Sequence, residues 1–165
     1  MRTYEKMDND VDQLDDLDGH GEVKEFHFHV YFFQSNAESR AAALSLRDDI
    51  LRLTAEGYFH AVPLATYNDV PRGPHPIGSY EVWCPRERFS RTYSYFATHR
   101  GKLSVLIHPL TRQEILDHTE RAAWMGPSFT LDLSQLRTLL PSVPLQYPEL
   151  GLGYSRPASA GEPTA

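Results

Sequence analysis

The sequence predicts an α+β fold in which helices cover one face of a small antiparallel sheet. Three observations carry that prediction. The stretch EFHFHVYFF, residues 25–33, alternates apolar and more polar side chains with a period of two, as a strand does. Two later stretches repeat apolar residues at three–four spacing and stop at a glycine, as helices do. The segments follow one another in the order β-α-β-β-α-β, the split βαβ pattern of a ferredoxin-like sandwich.

Each element has its own local reason. In residues 25–33 the side chains of Phe26, Phe28, Val30 and Phe32 point one way, and those of His27, His29 and Tyr31 the other. Ser35 and Glu38 then form a capping box at a helix start. The helix carries Ala43, Leu46, Ile50 and Leu53 on one face and ends at Gly57. YFHAVPLA, residues 58–65, reads as a short edge strand because of Pro63. TYNDVPRGPHPIG is a long turn-rich loop, and SYEVWC, residues 79–84, is the next strand. A helix follows with Pro85 near its start, apolar Phe89, Tyr93 and Phe96, and Gly101 as its stop. KLSVLIH, residues 102–108, is a strand. LTRQEILDHTERAAWMG reads as an added C-terminal helix opened by Thr111 and Glu114, followed by a further strand at SFTLDL and a helical turn at 134–140.

Residues 22–140 therefore form the expected domain. Residues 1–21 are acidic and lack a sustained apolar period, so a disordered arm is expected there. Residues 141–165 hold five of the 12 prolines and read as a tail, ordered at most to about Tyr154. The chain has 165 residues, 41% hydrophobic and 23% charged, as one globular domain with tails has. A net charge of −6 argues against a nucleic-acid partner. No apolar run approaches the roughly 20 residues that cross a bilayer, so no membrane partner is expected. One cysteine, Cys84, and a polar N-terminus point to a reducing, cytoplasmic setting. Cys84 itself reads as a small buried hydrophobe.

Eight histidines are many for this length. In the split βαβ order the 25–33 strand is central, with the 102–108 strand antiparallel on one side and the 79–84 strand on the other. Leu103, Val105 and Ile107 then face the helices, and Ser104, Leu106 and His108 share the open face with His27 and His29. Strands lie about 4.8 Å apart, and same-face residues on one strand about 6.6 Å apart, so these imidazoles can converge on one metal ion. Ser79, Glu81 and Trp83 face the same side, and Glu81 can offer a carboxylate. His75 reaches the cluster only if its loop folds back over the sheet. Imidazoles with open positions suit iron, zinc, copper or nickel, and two with a carboxylate suit a non-haem Fe(II) oxygenase. The plain alternative is a solvated polar face. Tyr31, Asp69 and backbone carbonyls are candidates to orient the rings. His60 and His99 read as surface residues, Trp124 and Phe129 as core. Arg100 and Arg121 can bind a substrate carboxylate. An open sheet face commonly pairs with a second copy, so a homodimer is expected.

The stretches FHFHVYF, GPHPIGSYEV, HRGKLSVLIHPLT and DHTERAAWMG, in this order and spacing, resemble the small DOPA 4,5-dioxygenase family over roughly residues 23–140. The resemblance implies a single ferredoxin-like domain with a metal centre that opens a catechol ring by the extradiol route, using Fe(II) and O₂ on a substrate such as DOPA. The motif histidines are His27, His29, His75, His108 and His118. The resemblance does not say which of them bind metal. The first choice of ligands is His29, His75 and His108, with Glu81 as the alternative third. His27 and His118 are then the candidates for acid–base work, and Tyr31 and Trp83 for flanking the ring. Zinc in place of iron is the expectation for a non-catalytic, ligand-binding relative. A hydrolase or isomerase using another metal is the remaining alternative.

Overall fold

The computed structural model describes residues 22–60 and 67–157. Among the described residues, four antiparallel strands form one sheet in the order β2-β1-β3-β4, where β1 is Glu25–Phe32, β2 Gly78–Pro85, β3 Ser104–Pro109 and β4 Ala123–Met125. The central strand is β1, as its alternation predicts. Its register sets His27 opposite Trp83 and His108, His29 opposite Glu81 and Leu106, and Tyr31 opposite Ser79 and Ser104. The sidedness expected for all three strands is therefore the sidedness observed.

The helix face is the apolar core. Phe28, Val30, Phe32, Tyr80, Val82, Val105 and Ile107 rise from the sheet to meet α1, Ala37–Ala55, and α2, Phe89–His99. Each fully buried Phe or Val here is worth roughly 1.5–3 kcal/mol relative to exposure. Helix α1 contributes Ala43, Leu46 and Ile50, and α2 contributes Thr92, Tyr95 and Phe96. Tyr93, expected on the apolar face of α2, is instead 45% exposed. Helix α1 stops as its glycine predicts. Gly57 takes φ +78, and the Tyr58 amide turns back to Leu53 O at 2.8 Å, closing the last turn.

Several elements differ from expectation. The cap of α1 is Asn36, whose side chain accepts from the Ser39 amide, rather than Ser35. Tyr58–His60 are bends and not strand, and the rest of the expected edge strand lies outside the described residues. What borders β2 is a short bridge, Asn68 to Ser79. The added C-terminal helix is only five residues long, α3, Glu114–His118. Thr111 does not close a capping box with Glu114. Its hydroxyl donates to Asp117, and the Asp117 carboxylate also accepts from the Thr111 amide. Thr119 then leaves helical geometry, and β4 forms within the expected helix because the free edge of β3 offers backbone partners at Val105–Ile107. SFTLDL is not a strand, and 134–140 contributes only a 3₁₀ turn at Leu133–Gln135.

The second sheet face is not open. His27, His29, Tyr31, Trp83, Leu106 and His108 on that face are all buried. They lie under the chain's own segments: the loop before β2, α3 and the stretch that follows, and a strap at 141–156. The face expected to pair with a second copy is thus occupied from within. The expected arm at 1–21 and the end of the tail, from 158 on, lie outside the described residues.

Candidate metal centre

Period-two alternation lifts Glu25, His27, His29 and Tyr31 onto one face of β1. His108, near the end of β3, lies directly across from His27 and diagonally from His29. The Nε2 atoms of His29 and His108 are 3.0 Å apart, and their rings stack at 10°. Among the described residues, one ring nitrogen from each of His27, His29 and His108 falls within 4.8 Å of the other two, so the three could hold a metal ion.

Two further histidines come in from outside the sheet. The loop before β2 does fold back. Arg72 and His75 exchange backbone hydrogen bonds at 3.1 Å around a turn in which Gly73 takes φ +56. Asp132 N donates to Pro74 O, tying the loop to the stretch after β4. His75 thereby lies 4.3 Å from His29, centroid to centroid, with its Nδ1 2.6 Å from the Tyr31 hydroxyl. His118 reaches the cluster from α3, its ring 3.9 Å from His108 and 6.3 Å from both His29 and His75. Asp117 anchors that short helix through Thr111 and Arg121.

Hydrogen-bond chemistry fixes the faces of the rings. Carbonyl oxygens only accept, so Nδ1–H of His108 donates to Pro109 O and Nδ1–H of His118 to Glu114 O, both at 2.8 Å. Each ring is left with an Nε2 lone pair, the form a metal or a proton can use. His29 and His108 are held well below the ordinary histidine range, first by burial and then by the neighbouring imidazoles. His75 is pushed down to about 4 by burial, then by His118 and His27. Burial also lowers His118. These four rings are neutral near pH 7, as nitrogen ligation requires.

A pocket of about 290 Å³ opens over the rings, walled by Pro74, Leu110, Leu136 and Pro144 with Glu81, Glu114 and Asp117 among its polar groups. An adjoining lobe of about 200 Å³ shares His29, Pro74, His75 and Glu81, and adds Asn68, Arg72 and Ser79. The combined space suits a small ligand. Arg100 and Arg121 do not line it. Arg100 is spent on the carbonyls of Gly101 and Leu103, and Arg121 on Asp117, Thr111 and Gln113. Tyr31 and Trp83 line neither lobe. Trp83 Nε1 donates to Glu25 beneath Tyr147. Trp124 and Phe129 are not core; they rest on Tyr31, 5.2 and 5.4 Å away on the histidine side of the sheet. Asp69, a candidate to orient a ring, lies instead 3.9 Å from Arg40.

The donor set fits a borderline transition metal: clustered neutral imidazoles with carboxylates nearby. Sequence reasoning missed Gln146, whose amide bridges His27 and Glu81 from the strap, 119 residues away from His27. No local motif marks it. It also missed Asp117, although this residue stands directly before His118 in DHTER.

Residues 26–135 match the Dopa 4,5-dioxygenase family. The chain is 56% identical over 137 residues to DOPA 4,5-dioxygenase of Amanita muscaria, covering 83% of this chain and 60% of that protein, so it spans under two thirds of that relative's length. It is 34% identical over 147 residues to an uncharacterized 21.2 kDa protein of Botryotinia fuckeliana, covering 84% of this chain and 73% of that one. Among solved structures, a candidate dioxygenase from Nostoc punctiforme PCC 73102 is similar with a TM-score of 0.60 at 32% identity, over 70% of this chain and 92% of that one.

Proposed function

The chain belongs to the Dopa 4,5-dioxygenase family, and from that premise we propose that it opens the ring of a catechol such as DOPA by extradiol cleavage, with non-haem Fe(II) and O₂. The observation that carries the reading is the 3.0 Å approach of the His29 and His108 Nε2 atoms at the floor of the pocket. It is the separation expected of two nitrogens sharing one ion at roughly 2.1 Å. The central position of β1 between β2 and β3 is in keeping with a ferredoxin-like scaffold for this site.

His27, His29 and His108 would hold the ion. In this reading His27 and His75 exchange the roles expected from the sequence, because the nitrogens of His27 and not those of His75 fall within reach of both other rings. Bound Fe(II) would acidify the catechol hydroxyls and bring the ring and O₂ together. The residues around it handle protons. His118, with Nδ1–H committed to Glu114 O, turns a basic Nε2 to the pocket and can take a catechol proton. Burial raises the Tyr31 phenol, which stays protonated and donates to His75 Nδ1. His75 is left with Nε2–H, a donor toward charge that develops as the ring opens. Pro74, Leu110, Leu136 and Pro144 exclude water from one side of the pocket. Both oxygen atoms of O₂ end in the ring-opened product.

The test is O₂ uptake by iron-reconstituted, reduced protein with DOPA and with simpler catechols, followed through the yellow ring-opened product. Uptake matched one to one with product supports the proposal, and no uptake with any catechol overturns it. A second reading follows from the same imidazoles, since neutral histidines also suit zinc: a zinc- or small-ligand-binding relative without turnover. Tight zinc with no catechol-dependent O₂ uptake after exchange to iron would favour it.

A further inference from the structure

We propose that Gln146 is a positioning residue for the metal centre: its amide locks His27 in one tautomer and so decides which ring nitrogen faces the ion. This rests on the reading of the histidine cluster as a metal site. Gln146 lies beyond the segment 26–135 that matches the family, on the strap that crosses the histidine face of the sheet. The strap is tied down just beyond it. Tyr147 packs on Trp83 at 5.1 Å, and farther along the Tyr154 amide donates to Glu25 and the Tyr154 hydroxyl to Leu110 O. Gly153 is required there. It has φ +59, and a Cβ on it would lie 2.5 Å from the Glu25 side chain.

The direction of the amide follows from its partners. A carboxylate only accepts, so the Nε2 of Gln146, 3.0 Å from Glu81 Oε1, is the donor on that side. Its oxygen is then the atom 2.7 Å from His27 Nε2, and an amide oxygen only accepts. His27 must carry its hydrogen on Nε2, which leaves the lone pair on Nδ1. Outer partners of this kind fix ring orientation and tautomer, and their loss costs about 10–100-fold in metal affinity. Glu81, expected as a possible ligand, orients the amide with its Oε1 and also stands 3.3 Å from His27 Nε2, a second and more distant acceptor for the same hydrogen. The chain thus builds one wall of the centre from β2 and the strap together.

The experiment uses the whole 165-residue chain. Long-range ¹H–¹⁵N correlation spectra of the metal-free protein at neutral pH report which nitrogen of each histidine is protonated, with the His27 signals assigned by their loss in His27→Asn. The expected result is Nε2–H for His27 in the wild type and a mixture of tautomers in Gln146→Met. His108 and His118, locked by Pro109 and Glu114, stay unchanged in both. Glu81→Gln, which frees the amide to turn over and removes the carboxylate beside His27 Nε2, reproduces the mixture from the other end. Titration with Zn²⁺ alone should show affinity weakened about tenfold in Gln146→Met. A wild type with Nδ1–H at His27, or a tautomer unaltered in both variants, overturns the proposal. Failure of the wild type to bind Zn²⁺ or Fe²⁺ overturns the metal reading instead, and the spectra separate the two failures.

Discussion

His29 and His108 stand diagonally across the β1–β3 ladder with their Nε2 atoms 3.0 Å apart and their rings within 10° of parallel. Neither ring is on a flexible loop. Both are buried and stand on adjacent strands of a packed sheet, so the spacing and register of β1 and β3 hold them near each other. A site built in this way is held in its working geometry before any ligand arrives.

Replacing either ring should therefore remove the ion rather than merely loosen it. His29→Ala and His108→Ala are expected to weaken Fe²⁺ and Zn²⁺ binding by roughly 100-fold or more, beyond what outer partners carry, and to abolish catechol-dependent O₂ uptake. Metal content after dialysis, alongside circular dichroism to verify folding, reads this directly. Retention of metal and full turnover by both variants would place the centre elsewhere.

Tyr31 is expected to act through His75. Tyr31→Phe keeps the buried ring but removes the hydroxyl 2.6 Å from His75 Nδ1. The cost in stability should be about 1 kcal/mol. The larger effect should be on turnover: kcat falls about tenfold with little change in KM or metal content, because His75 loses its fixed tautomer. An unchanged kcat would remove His75 from the proton path.

The cluster should make the metal-free protein sensitive to acid. The His29 and His108 rings titrate well below the ordinary range, and His75 near 4. In the unfolded chain each returns to about 6.5. Between those values the unfolded state binds more protons than the folded one, so stability rises with pH and is complete above about 6.5. Lowering the pH from 7.5 to 5 should depress the melting temperature. Burial raises Glu25 and Asp117, which pull in the opposite sense, so the comparison is with His75→Asn. That variant should show a shallower loss on acidification. Parallel profiles for the two proteins would mean that His75 is not buried in its neutral form.

Gly153 should report on the strap. Gly153→Ala puts a side chain into left-handed backbone and against Glu25, a strain of about 1–3 kcal/mol. The strap should lift at that end, exposing Trp83 beneath Tyr147 to water. A red shift of tryptophan emission, absent in a Trp83→Phe background, is the expected signature. Unshifted emission would mean that the strap does not depend on this turn.

Much of the site was legible because strand chemistry is regular. Period two put His27, His29 and Tyr31 on one face, and the central place of the first strand, expected from the sequence, set β3 with His108 and β2 with Glu81 on either side of it. Gly57 announced the end of α1 through its backbone alone. The rest depended on contacts without local signatures. Ser35 is the expected cap, but the Ser39 amide donates to the neighbouring Asn36 instead. The stretch after Pro109 has helical spacing, but the pull of Asp117 on Thr111 and the open edge of β3 outweighed it. The covering of the second sheet face was hidden for a related reason. The strap is polar and proline-rich, has no period, and is held by Glu25, Trp83 and Leu110, which are far away in sequence.

The most direct test is anomalous scattering at the iron edge from crystals of the iron-loaded protein. A single strong peak is expected between the Nε2 atoms of His29 and His108, about 2.1 Å from each, with His27 as the third protein ligand. Rings turned apart, with no peak between them, would contradict it.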